Sequence, residues 1–265
     1  MSRIMNIQLH RQGPLIHLEI ARPERRNALG TSLARDLSAS LDELESIINT
    51  TAGDTPTLVI TCAATPEAGG PIWIAGGDLK ELSELKTEAA GYAYAKTMCD
   101  ICLRIESLPI VTIMAVDGAA IGGGAEFALA GDLRLATKRS SFDFKQLKVG
   151  LATGYGGATR LLEAVGNSRA LGWVLLAKRV EAEDALHAGL VHELYDTIDA
   201  IKERATFLAA HFAALPRGSI TAQKRMLRPH SEERRLQLER ELSLFSPLWL
   251  NPHHAKVLQA FVGRP

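Results

Sequence analysis

The sequence predicts an α/β protein with a helical C-terminal region, and two patterns carry that prediction. Through about residue 195, short apolar runs of strand length alternate with longer stretches whose apolar residues recur at helical spacing. From Asp199 onward the strand pattern stops, and the chain reads as helix broken at Pro216, Pro229, Pro247 and Pro252. These patterns divide the chain into an α/β core, residues 1–198, and a helical region for packing and oligomerisation, residues 199–265.

Taken in order, Met5–Leu9 and Leu15–Ile20 alternate apolar and polar residues around Gly13-Pro14, the pattern of a hairpin. A polar loop from Ala21 to Leu29 ends at Gly30-Thr31, where Thr31 is expected to cap a helix running to Asn49. Leu33, Leu37, Leu41, Leu44 and Ile48 mark the face of that helix that should be buried. Thr57–Cys62 reads as a buried strand, followed by a loop containing Pro66, Gly69, Gly70 and Pro71. Ile72–Ile74 is a short strand entering Ala75-Gly76-Gly77, and Asp78 is placed to cap a short helix. Thr87–Leu108 is a long amphipathic helix stopped by Pro109, and Ile110–Val116 is apolar at every position but one, as in a strand buried on both faces. Strands at Leu133–Ala136 and Leu190–Leu194 and helices at 157–165, 168–176 and 181–188 complete the core, while Phe142–Gly150 reads as irregular.

Composition narrows the function. Lys plus Arg and Asp plus Glu are both 30, so the formal net charge is zero, which argues against a nucleic-acid partner. The cluster Arg22, Arg25 and Arg26 could still hold a small anion. With three cysteines no closed disulfide framework is possible, and Cys99-x-x-Cys102 falls inside a helical pattern, so both read as packing residues and no metal site is expected. No apolar run is long enough to span a membrane and the N-terminus shows no signal segment, so the expected location is cytoplasmic.

Chemistry concentrates at Val116–Asp132, where a strand passes through Gly118 and Gly122-Gly-Gly124 into Ala125–Ala130, a run compatible with helix. Glycines at a helix start leave backbone N–H groups open to a partly negative oxygen. Gly118 and Gly123 have phosphate-loop spacing, but Gly124 and Ala125 occupy the positions of its Lys and Ser/Thr. The dinucleotide pattern fails as well, because Phe127 stands where its third glycine is required. Gly166-Asn-Ser168-Arg-Ala170 lacks the last glycine of a hydrolase nucleophile elbow. What remains is Gly123 with Glu126 on the same helical face, a donor for an oxyanion next to an acid/base. Gly77 offers a second donor of the same kind.

Arg22-Pro-x-x-x-Asn27-Ala-Leu29, Ala75-Gly-x-Asp78-Leu-Lys80, Gly118-x-Ala-Ile-Gly-Gly-Gly-Ala-Glu126, Gly154-x-Gly-Gly-x-Thr-Arg160-Leu and Glu183-x-Ala185-x-x-x-Gly189-Leu-Val occur in an order that resembles the crotonase superfamily, the enoyl-CoA hydratase/isomerase proteins. The resemblance spans about residues 4–195. It implies a spiral of ββα units with a helical C-terminal region, trimers that pair into hexamers, and an acyl-CoA thioester as partner. No cofactor beyond the substrate's own coenzyme A is implied. The same resemblance places the thioester carbonyl between the amides of Gly77 and Gly123 and assigns Glu126 as acid/base. Its CoA contacts map to Arg26, Ala28, Leu29, Ala75, Gly76, Gly77, Asp78, Leu79, Lys80 and Gly123. One departure is evident, since the position of the second hydratase glutamate is Gln146, which cannot exchange a proton near neutral pH. Three functions follow: a hydratase-type lyase using Glu126 with Gln146 holding water, a decarboxylase of a branched malonyl-CoA, or a non-catalytic CoA-binding or RNA-binding protein.

Overall fold

A computed structural model describes residues 2–4, 6–50, 55–65, 70–228 and 232–262. Met5, Pro66, Gly69 and Pro229, named above in the first hairpin, a loop and a helix break, lie outside them. The core is a coil of strand–strand–helix turns that feeds two sheets. Strand β1 (Ser2–Ile4), β2 (Ile7–Gln12) and β3 (Leu15–Ile20) form an antiparallel start, with Gln12 opposite Leu15 across the Gly13-Pro14 turn. Helix α1 (Thr31–Thr50) follows and buries Leu33, Leu37, Leu41, Leu44 and Ile48, the stripe its spacing predicts.

Three turns of the coil come next. The first comprises β4 (Thr57–Cys62), β5 (Ile72–Ile74), the short α2 (Leu79–Leu82) and the long α3 (Glu88–Ser107). The second is β6 (Val111–Val116), β7 (Ala119–Ile121) and α4 (Gly123–Ala128). The third is β8 (Leu133–Thr137), β9 (Ser141–Asp143), a 3-10 turn at Gln146–Val149, and α5 (Gly157–Val165). Each turn adds one strand to each sheet: β4, β6 and β8 are parallel neighbours in a seven-stranded sheet, and β5, β7 and β9 in a four-stranded one. After α6 (Asn167–Leu175), β10 (Arg179–Glu181) closes the smaller sheet antiparallel to β9. Helix α7 (Ala182–His187) then leads to β11 (Glu193–Tyr195), which closes the larger sheet parallel to β8.

The larger sheet is covered on both faces, which explains why its central strands lack a polar alternation. Leu58, Ile60, Met114 and Val116 face the main core with α1 and α3. Val59, Ile113, Ala115 and Leu135 face α8 (Ile198–Ala213) through Ile201, Ala205 and Leu208. The remaining helices are α9 (Arg217–Leu227), α10 (Glu232–Phe245) and α11 (Pro252–Val262). Of the predicted breaks, Pro216 precedes α9, Pro247 lies in a 3-10 turn at Ser246–Leu248, and Pro252 opens α11.

Several expectations are corrected. Residues 142–150 are not irregular, because Phe142 and Asp143 belong to β9 and a 3-10 turn follows. Strands β7, β9 and β10 are each three residues long, too short to show a period of their own. The final strand is Glu193–Tyr195 and not Leu190–Leu194, since β8 pairs with that segment. Thr31 is the first helical residue of α1 and does not cap it. The Glu81 carboxylate takes that role from α2, accepting from the Ser32 N–H at 2.8 Å and from the Thr31 and Ser32 hydroxyls.

Candidate active site

The two glycine turns predicted to supply donors are neighbours. Chain continuity from β5 sets one and from β7 the other, and parallel pairing of those strands brings both turns to one end of the smaller sheet. A Cβ at Gly124 would lie 2.5 Å from the Ile74 carbonyl oxygen, so α4 starts where only glycine fits. The Cβ position of Gly76 is 3.7 Å from the Gly123 nitrogen. Neither the Gly77 nor the Gly123 N–H has an acceptor among the described residues. Gly77 is held from both sides, because the Leu29 N–H donates to the Gly76 carbonyl at 2.7 Å and the Asp78 N–H to the Leu29 carbonyl at 2.9 Å. The Leu29 carbonyl also accepts from the Tyr94 hydroxyl at 2.7 Å. Tyr94 in turn accepts from the Tyr155 hydroxyl at 2.6 Å. The Tyr155 ring lies over Gly123, its Cε2 2.4 Å from where a Cβ would be.

Glu126 is almost fully buried on α4 and is caged by the loop leading into α5. Its Oε2 accepts from the N–H groups of Gly154 at 3.1 Å, Tyr155 at 2.8 Å and Gly157 at 3.1 Å. Its Oε1 accepts from the Gln146 amide at 2.8 Å, with a long Gly154 contact at 3.4 Å. The cage closes because residue 157 is glycine: a Cβ there would meet Glu126 Cγ at 2.4 Å. Burial, followed by the negative charge of Glu241, pushes the carboxyl up to about 7 against the lowering effect of hydrogen bonds from Tyr155, Gln146 and Gly154. Gln146 is also buried, and its Oε1 has no partner among the described residues.

The residues expected to contact CoA divide by exposure. Arg26 and Lys80 are exposed, Leu79, Ala75 and Gly77 half-buried, and Ala28, Leu29, Gly76 and Asp78 buried. Arg26 has a left-handed backbone, φ 52°, and its carbonyl accepts from the Ala75 N–H, which joins the two segments. Asp78 caps α2 as expected, accepting from the Lys80 and Glu81 N–H groups. Arg22 is not available to an external anion. It is buried and donates to Asp78 at 3.2 Å, to Glu81 at 2.9 Å and to the Ala28 carbonyl, which leaves Arg25 and Arg26 as the exposed members of that cluster. Cys99 and Cys102 pack in the core, and burial pushes Cys99 up to about 11 and Cys102 higher.

The C-terminal helices also depart from expectation. In the region expected to serve packing and oligomerisation, Leu242, Phe245 and Trp249 pack into this chain's own core, while Leu248 is half-buried and Leu244 is exposed. Trp249 donates to the Leu85 carbonyl at 3.0 Å and packs at a tilt against the rings of Tyr94, Phe245 and His254. Helix α11 lies on α2 and on the Gln146–Val149 turn, over two segments that carry candidate site residues. No helix among the described residues is long and apolar enough to cross a membrane. Sequence reasoning missed Tyr94, Glu81 and Glu241, whose roles depend on contacts between distant segments and leave no local pattern.

The sequence and the fold have relatives among known proteins. A family profile described as enoyl-CoA hydratase/isomerase matches residues 10–264. The chain is 32% identical over 256 residues to the 2,3-dehydroadipyl-CoA hydratase of Escherichia coli K12, covering 96% of this chain and 94% of that one. It is 30% identical over 246 residues to the human ethylmalonyl-CoA decarboxylase, covering 91% of this chain and 76% of that one. An enoyl-CoA hydratase/isomerase structure from Xanthobacter autotrophicus Py2 superposes with a TM-score of 0.85 at 25% identity, covering 97% of this chain and 93% of that one. One from Mycobacterium paratuberculosis gives 0.84 at 23%, covering 98% and 100%, which speaks for the fold. With the profile matched over nearly the whole length and the ββα coil in place, this chain belongs to the enoyl-CoA hydratase/isomerase family of the crotonase superfamily.

Proposed function

We propose that the protein is an acyl-CoA lyase of the enoyl-CoA hydratase type, with Glu126 as acid/base and the Gly77 and Gly123 amides as an oxyanion hole. The caged carboxylate is the observation that carries this reading. Three backbone donors saturate Oε2, so Oε1 is the oxygen with room for a proton. A carboxyl near 7 exchanges protons readily at neutral pH, as general acid–base catalysis requires. Gln146 commits its N–H to Glu126, so its unpartnered Oε1 can accept from a water molecule. In the proposed hydration, the water oxygen bonds to C3 of the enoyl thioester and its proton passes to Glu126 Oε1. The C2–C3 π electrons move to the thioester oxygen as an enolate, which then takes the proton from Glu126 at C2. Two fixed donors lower the cost of that enolate, and losing one such donor costs roughly 2.7–4 kcal/mol in comparable sites.

CoA, as part of the substrate, would lie along Arg26–Leu29 and Ala75–Lys80, with the exposed Arg26 and Lys80 facing its phosphates. Trimers or hexamers would bury the exposed leucines 162, 171 and 175, which line an apolar groove between α5, α6 and α10. A second reading, decarboxylation of a branched malonyl-CoA, is favoured by Gln146 in place of a second carboxylate and by the similarity to the human decarboxylase. Loss of CO2 leaves the same enolate in the same hole but requires no water.

The substitution Gln146→Glu separates the two. It places a second carboxyl about 3 Å from Glu126, where two like charges oppose joint ionisation. Hydration of crotonyl-CoA should rise, because the pair then shares one proton across the water. Decarboxylation of ethylmalonyl-CoA should fall, because an anionic substrate meets added negative charge. Wild-type release of CO2, with crotonyl-CoA untouched by either form, would replace the hydratase reading with the second.

A further inference from the structure

The start of helix α5 serves two carboxylates, and the mechanism above uses one of them. Its first helical N–H, from Gly157, donates inward to Glu126 Oε2 at 3.1 Å. The next two, from Ala158 and Thr159, donate outward to Glu241 at 3.2 and 3.1 Å, and the Thr159 hydroxyl adds a bond at 3.2 Å. Consecutive amides of one helix terminus therefore hold two acidic side chains that lie 115 positions apart in the chain, Glu126 on α4 and Glu241 on α10. A helix N-terminus stabilises nearby negative charge, but that stabilisation is finite and falls off within one turn. With Glu241 in place, the second charge opposes ionisation of the first.

We propose that Glu241 is a positioning residue for the reaction: by holding the outer amides of the α5 terminus, it fixes the loop that cages Glu126 and sets the proton affinity of that carboxyl. The proposal rests on the reading of Glu126 as the acid/base. The other groups facing Glu126 do not supply this effect. Tyr94, Cys99 and Cys102 on α3 and Tyr155 on the loop are kept neutral by burial. Gln146 is uncharged. Arg160 on α5 is matched by Glu106 at 2.8 Å, and Asp143 on β9 by Lys145 at 2.7 Å. Arg234, the cation of α10 on this side, is bound to Glu106 and Glu163. The direction of the Glu126 shift agrees, with Glu241 the largest influence after burial.

The geometry assigns α10 a place in the chemistry and not only in packing. Arg160 and Arg234 clamp α10 to α3 and α5 through Glu106, which keeps Glu241 in register with the α5 terminus. Docking of the C-terminal helices would then bring the acid/base into its working range.

The test uses the full-length protein with 13C-labelled glutamate, assigning the Glu126 resonance by its loss in Glu126→Gln. In Glu241→Gln the amide oxygen can keep the Thr159 N–H and hydroxyl bonds while the Ala158 N–H loses its acceptor, so the charge is removed and most of the cap is kept. The titration midpoint of Glu126 should fall by about one pH unit, the scale of losing a nearby like charge. The acid limb of the pH–rate profile should move by the same amount, which a purely structural cap would not produce. An unmoved midpoint in folded Glu241→Gln overturns the proposal. Should that variant fail to fold, Glu241→Ala read at the same resonance decides: a lowered Glu126 midpoint supports the coupling, and an unmoved one removes it. The midpoint is read without substrate, so a shifted midpoint in a protein inactive on every acyl-CoA would sink the proposed function and leave the coupling standing.

Discussion

Replacing Glu126 by Gln should remove most turnover and at the same time make the protein more stable above neutral pH. The carboxyl is raised from 4.5 to about 7, so the folded state resists its ionisation. Between those two values the unfolded chain is ionised while the folded chain holds its proton. Wild-type stability therefore falls as pH rises from about 4.5 to about 7, and the loss is complete above that window. At roughly 1.4 kcal/mol per pKa unit, the loss is about 3 kcal/mol. The amide variant escapes it. Its oxygen can occupy the Oε2 position, where Gly154, Tyr155 and Gly157 donate, and its NH2 can face Gln146 if that amide turns its oxygen inward. Turnover should drop on the order of 10²–10⁴-fold, the range for lost general acid–base catalysis. Urea unfolding of both proteins at pH 5 and pH 8.5 is the assay. The variant should gain on wild type by about 2.5 kcal/mol between the two conditions, because part of the loss has already occurred at pH 5. A difference in stability that stays constant with pH would refute the raised carboxyl, whatever happens to activity.

Trp249→Ala should cost about 3–5 kcal/mol, as expected for a buried aromatic, because it removes the ring packed against Gly91 and Tyr94. Thermal or urea unfolding checks this, and a loss under 1 kcal/mol would mean that the C-terminal helices do not rest on the core as described. Leu171→Asp combined with Leu175→Asp, at exposed positions on α6, should leave the folded monomer intact while lowering the mass seen by light scattering at micromolar concentration. A wild-type mass already equal to one chain would remove the assembly proposal.

The sequence by itself determined the elements whose signal is local and long. The leucine stripe of α1 and the apolar runs of β4 and β6 match their segments because burial of a helix face, or of both strand faces, writes a period into the residues themselves. The two glycine turns and Glu126 were legible for a related reason, since a close approach or a helix start constrains residue type at fixed spacing. Tertiary structure decided the rest. Strands β7, β9 and β10 exist because a neighbouring strand offers them a ladder, and three residues carry no period of their own. Glu81 replaced Thr31 as the cap of α1 because a carboxylate from a different turn of the coil reaches the same amides with Arg22 to balance its charge. Glu126 owes its raised proton affinity to burial, to backbone donors from a later loop, and to Glu241 from the C-terminal helices. A residue's charge state depends on the field at its carboxyl group, and that field is a sum over space and not along the chain.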